Sequence, residues 1–343
     1  MSNNNNETNF NKLINSIQNP LMNLPIIEES KNIEPSNKFQ LILESSNFLN
    51  NKSPLLFPNL LGKKYNSSKV SKKLRKVNSS NVNYYLFYFD NEIIHIKNVE
   101  SLQSFSIKIY DWRARAEAEY FQQIIFVCGG INEVYFDTCA TLDCNTKSIN
   151  FSVKMSEKKC SVSLTSTQTR LFCLGGISAK VLNSCEYYDN GISQFRKINP
   201  LNNTDCGITS SFDSSKYIYT FGGCYRASYE RFDSMNLSGK WEILTLSGTS
   251  RRDKGCSLYF NNHKFFIFGG TKTDNSMPYL YNSNTNQFEN IELGPQYFNT
   301  SFDTSKPIEF KECIYLLQII GFAKNTIKIN SISLDMQFIK IDF

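Results

Sequence analysis

The side chains best suited to metal or nucleophilic chemistry occur unevenly in this sequence. Its 343 residues include ten cysteines but only two histidines, His95 and His263. No C-x-x-C pair occurs, copper chemistry needs a cluster of imidazoles, and a cysteine nucleophile needs a base beside it. Cys224, directly after Gly223, is the cysteine best placed for exposure. We therefore predict no metal, no cofactor and no catalytic residue, and we expect buried free thiols.

Composition argues against two classes of protein. No apolar run approaches the length of about 18 residues expected of a membrane-spanning helix. The first ten residues, MSNNNNETNF, have neither the basic nor the apolar region of a secretory signal. We therefore expect a cytoplasmic protein, with the nucleus as the alternative. The formal net charge of +6 favours acidic partners only mildly.

Residues 1–69 form a predicted leader that is largely disordered. An Asn-rich stretch with few apolar residues cannot bury enough surface to offset its chain entropy. Two apolar patches between residues 38 and 61, FQLILE and LLFPNLL, fit either a strand or a short helix. The basic run KKLRK, Lys72–Lys76, is predicted to be a solvated flank; a nuclear-import or nucleic-acid patch is the alternative.

From about residue 70 the sequence consists of short β-branched and aromatic runs separated by polar turns, which predicts many short strands. Four of these runs end in a glycine pair: IIFVCGG, LFCLGG, YIYTFGG and FFIFGG. The pairs are Gly129 and Gly130, Gly175 and Gly176, Gly222 and Gly223, and Gly269 and Gly270. Their intervals of 46, 47 and 47 residues indicate one structural unit repeated along the chain.

Further markers follow the same period. After each pair comes an apolar residue with Asp or Asn and then an aromatic residue, which predicts two strands around a polar turn. The aromatic residues, expected to pack between neighbouring sheets, are Phe151, Phe195, Trp241 and Phe288. A small residue precedes each pair by 13 to 16 positions: Ala116, Cys160, Cys206 and Cys256. Weaker copies at Asn83–Asn91 and Cys313–Phe322 flank the four, so six repeats are predicted.

The hydrophobic run, Gly-Gly, Tyr-Asp and Trp or Phe at these distances resemble the kelch repeat over residues 70–343. In that family each repeat is one four-stranded blade, so the resemblance implies an all-β, six-bladed kelch-type β-propeller after the leader. Glycine suits the end of the second strand because it lacks a Cβ and accepts positive φ. How the ring closes, and whether residues 38–61 add a strand to it, stays open.

Strand order in such a blade places the connections between blades and the loops after Gly-Gly on one face. The basic residues that we assign to this face are Arg113, Arg115, Lys158, Lys159, Lys180, Arg226, Arg251, Arg252, Lys254 and Lys272. We predict that they bind an acidic protein or peptide surface, with arginine making bidentate contacts. The alternative is that they are ordinary solvated loop charges.

The predicted function is a non-catalytic scaffold or adaptor for protein binding. The resemblance implies a ubiquitin-ligase, actin-associated or signalling complex as the partner, although no BTB or F-box module is evident in residues 1–69. The alternative is a propeller enzyme that acts on a small sugar-like or acidic ligand at the channel mouth. The sequence fixes neither the partner's identity nor the oligomeric state.

Overall fold

The computed structural model describes most of the chain after residue 84. The described residues are 85–90, 92–111, 113–190, 192–245, 252–260, 263–270, 279–290, 308–310, 313–320, 323–330 and 336–339. Contacts divide the chain into two units, Met1–Arg75 and Lys76–Phe343, and every described residue belongs to the second. The predicted leader, the patches between residues 38 and 61, and the KKLRK run lie outside the described residues.

The described residues contain strands and turns and no helix. The strands are β1 (Tyr85–Asp90), β2 (Ile93–Asn98), β3 (Ser104–Lys108), β4 (Glu117–Phe121), β5 (Ile124–Cys128), β6 (Ile131–Asn132), β7 (Val134–Tyr135), β8 (Thr138–Asp143), β9 (Ser148–Lys154), β10 (Ser163–Ser166), β11 (Arg170–Leu174), β12 (Cys185–Asp189), β13 (Arg196–Ile198), β14 (Thr209–Phe212), β15 (Tyr217–Phe221), β16 (Glu230–Asp233), β17 (Glu242–Ile243), β18 (Cys256–Phe260), β19 (Lys264–Phe268), β20 (Tyr279–Asn282), β21 (Gln287–Asn290), β22 (Ile308–Phe310), β23 (Cys313–Ile320), β24 (Ala323–Asn330) and β25 (Met336–Ile339). This part of the chain therefore has no helix that could cross a membrane.

The strands form antiparallel sheets in chain order, in the arrangement of a β-propeller. Five sheets have four strands: β4-β5-β8-β9, β10-β11-β12-β13, β14-β15-β16-β17, β18-β19-β20-β21 and β22-β23-β24-β25. Strands β1, β2 and β3 form a three-stranded sheet, and β6 pairs with β7 in the loop after Gly130. The all-β propeller is confirmed. The prediction of six blades is wrong, because the described residues form five four-stranded blades.

The three-stranded sheet corresponds to the last three strands of a blade. Eight residues separate β3 from β4, as eight residues separate β9 from β10, so β3 occupies the position of a fourth strand. Strand β1 connects to β2 through only two residues, where the next blade has the longer loop that follows Gly-Gly. The first predicted repeat therefore lacks both the glycine pair and, among the described residues, an innermost strand.

Apolar and aromatic side chains hold neighbouring sheets together. Phe126 of β5 packs against Tyr188 of β12, with 5.1 Å between ring centroids. Phe232 of β16 stacks on the buried Trp241, and the same cluster contains Phe172 of the preceding blade. Because one sheet cannot cover its own apolar faces, burial against both neighbours is what stabilises each blade.

The first and last described sheets are neighbours. Leu86 and Tyr88 of β1 form a buried cluster onto which Ile308 and Tyr315 of the last sheet pack. Strand β1 correspondingly lies against β23. The two ends of the propeller therefore meet through side-chain packing.

The innermost strands are joined by hydroxyl groups. Strands β4, β10, β14 and β18 lie next to one another in this order. The buried Ser163 and Ser210 hydroxyls are 2.7 Å apart, and those of Ser211 and Ser257 are also 2.7 Å apart. Small hydroxyl side chains suit the crowded axis because they satisfy one another's hydrogen-bonding groups without water.

Candidate interaction face

Successive blades are joined by a line of main-chain hydrogen bonds. Lys254 donates its backbone N–H to the Gly207 carbonyl (2.8 Å), Gly207 donates to Ser161 (3.1 Å), and Ser161 donates to Arg115 (2.9 Å). All four residues have positive φ, between 50° and 63°. They recur once per repeat in the connections between sheets, so we call the surface formed by these connections and by the loops after Gly-Gly the connecting face.

The glycine pairs bind the connection that follows their own blade. The second glycine donates its N–H to a carbonyl there: Gly130 to Lys159 (3.0 Å), Gly176 to Asp205 (3.1 Å) and Gly223 to Arg252 (3.1 Å). A Cβ on Gly175 would lie 2.7 Å from the Asp205 carbonyl oxygen, and φ of 60° there also favours glycine. The pairs are therefore docking points between blades.

One position per repeat combines that docking with a buried charged side chain. It is occupied by Arg113, Lys159, Asp205 and Arg252, which we call the clamp residues. Their exposed fractions are 3%, 0%, 1% and 0%. For the last three, the carbonyl accepts from the preceding blade's glycine pair while the side chain binds within its own blade. A clamp residue therefore ties two blades together.

Two clamp residues are arginines that bind glycine carbonyls. Arg252 donates Nη1 to the Gly269 carbonyl (2.8 Å) and lies over the Tyr279 ring, 4.6 Å from its centroid. Arg113 donates Nη1 to the carbonyls of Gly129 (3.4 Å) and Thr138 (2.6 Å) and lies over the Phe136 ring at 4.2 Å. Burial lowers the pKa of Arg252, and Tyr279 opposes that effect. Both guanidinium groups are therefore occupied inside the propeller.

Lys159 makes a fully buried ion pair. Its Nζ lies 2.7 Å from Glu186 Oε1, and both side chains are 0% exposed. Burial alone would lower the pKa of Lys159, but interactions with Cys173 and with the Glu186 carboxylate outweigh burial and raise it. Glu186 Oε2 also accepts the Ser156 N–H at 2.6 Å. The Glu186 carboxylate thus binds the connection between β9 and β10 at two points, the Lys159 side chain and the Ser156 main chain.

Asp205 uses a different chemistry to hold the loop after Gly223. Its carboxylate accepts the backbone N–H groups of Cys206 (2.8 Å), Tyr225 (3.2 Å) and Arg226 (3.1 Å). Burial raises the pKa of Asp205, and these donors oppose the rise. Tyr225 is 55% exposed, and Arg226 is exposed beside it. The loop therefore exposes a tyrosine and an arginine on a main chain that the buried Asp205 carboxylate holds in place.

The predicted partner-binding residues fall into three groups. Arg115, Lys158, Lys180 and Arg226 are exposed, and Lys254 is half-buried. Arg251 and Lys272 lie outside the described residues. Arg113, Lys159 and Arg252, predicted to lie on the binding face, are buried clamp residues, because each guanidinium or ammonium group binds a carbonyl or carboxylate oxygen of its own blade. We therefore leave these three out of the interaction face.

Two buried carboxylates escaped the sequence analysis. Glu230 accepts the N–H groups of Asn202 (2.9 Å) and Asn203 (3.2 Å), much as Glu186 accepts that of Ser156. Each glutamate stands three residues before the Asp of its repeat, in EYYD and ERFD. That shared spacing was a usable signal for a structural carboxylate.

The two histidines have local contacts in separate sheets. His95 Nδ1 lies 2.8 Å from Ser106 Oγ, and its ring stacks on Tyr88. The His263 backbone carbonyl accepts the Ser283 N–H at 2.8 Å. Within the described ranges, no three His, Cys, Asp or Glu side chains are grouped as metal ligands would be.

No family model matches the chain, and no curated protein matches it. The class that the fold defines is a β-propeller.

Proposed function

We propose that this chain is a kelch-type propeller that acts as a non-catalytic scaffold or adaptor and binds an acidic protein partner through its connecting face. The glycine pairs support the kelch-type assignment, because they dock each blade onto the next connection at a constant period. A propeller scaffold is compatible with such a role, since loops on a rigid framework are a common place for recognition.

The observation that carries the proposal is the loop held by Asp205. Tyrosine and arginine are enriched among the residues that dominate binding energy in protein interfaces. Tyr225 and Arg226 are adjacent and exposed, and their backbone N–H groups are already bound to a buried carboxylate. A main chain fixed before binding loses less entropy on association.

Charge on the connecting face supports an acidic partner. Arg115, Lys158, Lys180 and Arg226 are exposed in its connections and loops. Among the acids of this face, Glu133 is exposed, Glu157 and Asp253 are half-buried, and Asp205 is buried. The exposed charge is therefore mainly positive, which steers acidic surfaces towards this face.

Binding of a fluorescently labelled peptide of alternating Glu and Asp, measured by anisotropy, tests the proposal. We expect Arg226→Glu and Lys180→Glu each to weaken binding by about fivefold, because they reverse a charge at the rim of the binding surface. The matched control is Lys240→Glu, the same change in the exposed loop between β16 and β17, on the opposite face.

Weaker binding by Arg226→Glu and Lys180→Glu, together with control binding equal to that of the unchanged protein, would support the proposal. Equal weakening by all three variants, or no binding by the unchanged protein, would overturn it. Far-UV circular dichroism establishes that each variant is folded.

A further inference from the structure

Cys206 and Cys224 are neighbours where the Tyr225 loop begins. Cys224 donates its backbone N–H to the Cys206 carbonyl at 2.9 Å, so the two residues lie side by side on adjacent segments. Cys206 is 4% exposed, whereas Cys224 is half-buried, so Cys224 is the more accessible of the two. Residues paired by a main-chain hydrogen bond across adjacent extended segments have Cα atoms about 5.5 Å apart, within the range that a disulfide spans.

We propose that Cys206 and Cys224 form a reversible thiol–disulfide site that reacts with low-molecular-weight disulfides such as glutathione disulfide. This inference is independent of the proposed function, because it concerns the chemistry of the two thiols alone. Cys206 nevertheless follows Asp205 and Cys224 precedes Tyr225 in the sequence, so oxidation joins two segments of the connecting face.

The reaction proceeds by two exchanges. The Cys224 thiolate, after losing its proton to water, attacks one sulfur of glutathione disulfide and releases one glutathione thiolate. The Cys206 thiolate then attacks the mixed disulfide at Cys224 and releases the second glutathione. Overall the protein loses two protons and two electrons, and glutathione disulfide takes them up to become two glutathione thiols.

The surroundings of Cys224 set the rate. The proximity of Cys206, burial and the neighbouring Asp253 carboxylate all raise the pKa of Cys224. Only the thiolate attacks, so we expect slow exchange at neutral pH and a rise of about tenfold per pH unit below the thiol pKa. Asp253→Asn removes a negative charge beside the thiol, and we expect it to accelerate exchange.

A second cysteine pair provides an internal control. Cys128 and Cys139 are directly opposite one another in β5 and β8. Both are 0% exposed. Proximity is thus shared by the two pairs while access differs, and we expect the Cys128 and Cys139 thiols to remain reduced in the folded protein.

The experiment treats the folded full chain with glutathione disulfide and follows the products by mass spectrometry. Trypsin cleaves after Lys216, between the two cysteines, so the new bond appears as a joined peptide pair. We expect that pair in the unchanged protein, its loss in Cys224→Ser, and its faster appearance in Asp253→Asn. A lasting glutathione adduct at Cys224 without the linked pair would overturn the proposal.

Equal oxidation of the two cysteine pairs would also overturn it, because that result shows reaction through unfolding. Loss of the linked pair in Cys224→Ser counts only if that variant keeps the far-UV spectrum of the unchanged protein. If it does not, the Asp253→Asn rate and the reduced state of Cys128 and Cys139 still decide the matter.

Discussion

At the scale of single residues, the four clamp residues show three solutions to one structural task. Arginine binds a glycine carbonyl, lysine binds a buried carboxylate, and aspartate binds backbone N–H groups. Each is a charged group made acceptable in the interior by a specific partner. A basic residue in a predicted loop therefore does not by itself indicate a surface charge.

We expect removal of one charge of the Lys159–Glu186 pair to cost much more stability than removal of both charges. Glu186→Ala leaves a buried ammonium without its carboxylate and should lower the free energy of unfolding by about 3–5 kcal/mol. Combining Lys159→Met with Glu186→Leu removes both charges and should recover much of that loss. Urea unfolding gives the free energy of unfolding of the unchanged protein, the single variant and the double variant.

The control is Glu242→Ala, which breaks the exposed Arg231–Glu242 pair. That pair has a separation of 2.7 Å, but its glutamate side chain is 57% exposed. We expect a cost below about 1 kcal/mol, because solvent screens the interaction. A loss for Glu186→Ala no larger than this would contradict a structural role for the buried pair.

At the scale of strands and turns, the glycine pairs are the decisive local feature. Gly222 has φ of 70°, and a Cβ there would lie 2.9 Å from Arg252 Cβ. Gly222→Ala should lower the free energy of unfolding by about 2–4 kcal/mol, since left-handed strain and crowding add. Chemical denaturation followed by circular dichroism gives the value.

Gly255 is the matched control, since it faces the same arginine. A Cβ on Gly255 would meet Arg252 Cβ at 3.4 Å, an ordinary contact, and its φ lies outside the left-handed region. We expect Gly255→Ala to change stability by less than about 0.5 kcal/mol. Similar losses from both substitutions would show that crowding at Gly222 is not what matters.

The repeat markers predicted strand positions better than side-chain directions. Phe195 and Trp241 are buried between sheets as expected, at 2% and 3% exposure, but Phe151 is 37% exposed. A register irregularity between Cys139 and Thr141 shifts the pairing of β8 with β9, so Val153 reaches the core instead. Bulges of this kind leave no mark in a hydrophobic pattern.

The small-residue marker shows the same difficulty with phase. Cys160 and Cys206 do lie next to a residue of positive φ, but the equivalent positions in the other repeats are Ala114 and Asp253. Ala116 and Cys256 were therefore assigned two and three residues too late. Spacing locates a connection between sheets, whereas hydrogen bonding between blades fixes which residue occupies the turn.

At the scale of the whole molecule, the glycine period was sufficient to predict a propeller, but not its blade count. The period identifies one blade per repeat only where the local strands are complete, and the first repeat supplies three described strands. The exposed loop residues could be assigned to one face from strand order alone. Which of the basic side chains turn inward could not, because that depends on buried partners in strands distant in sequence.

Contact between the first and last sheets makes a prediction about cooperativity. Leu86 is 0% exposed and packs where these sheets meet. Leu86→Ala should lower the free energy of unfolding by about 2–5 kcal/mol through the cavity it leaves. In a Trp112→Phe background, Trp241, in a different blade, is the fluorescent probe. The loss in free energy of unfolding measured by its fluorescence should equal the loss measured by the far-UV signal.

Leu102→Ala is the control for this experiment, because Leu102 is 66% exposed and the change in side chain is identical. We expect it to cost less than about 0.5 kcal/mol. If Leu86→Ala shifted the far-UV transition while leaving the Trp241 transition unmoved, the blades would unfold separately.

At the clamp position the main chain binds the preceding blade and the side chain binds its own blade, and this separation has an evolutionary consequence. Toward the preceding blade, Lys159, Asp205 and Arg252 form hydrogen bonds through the main chain: each carbonyl accepts from a glycine pair, and the N–H groups of Lys159 and Asp205 donate to the carbonyls of Phe136 and Leu182. Each side chain forms its hydrogen bonds or ion pair within its own repeat. A duplicated or transplanted repeat would therefore bring the binding partners of its own clamp side chain with it. It would still form the main-chain hydrogen bonds to the preceding blade. We therefore expect lysine, aspartate and arginine to replace one another here without a compensating change in the preceding blade.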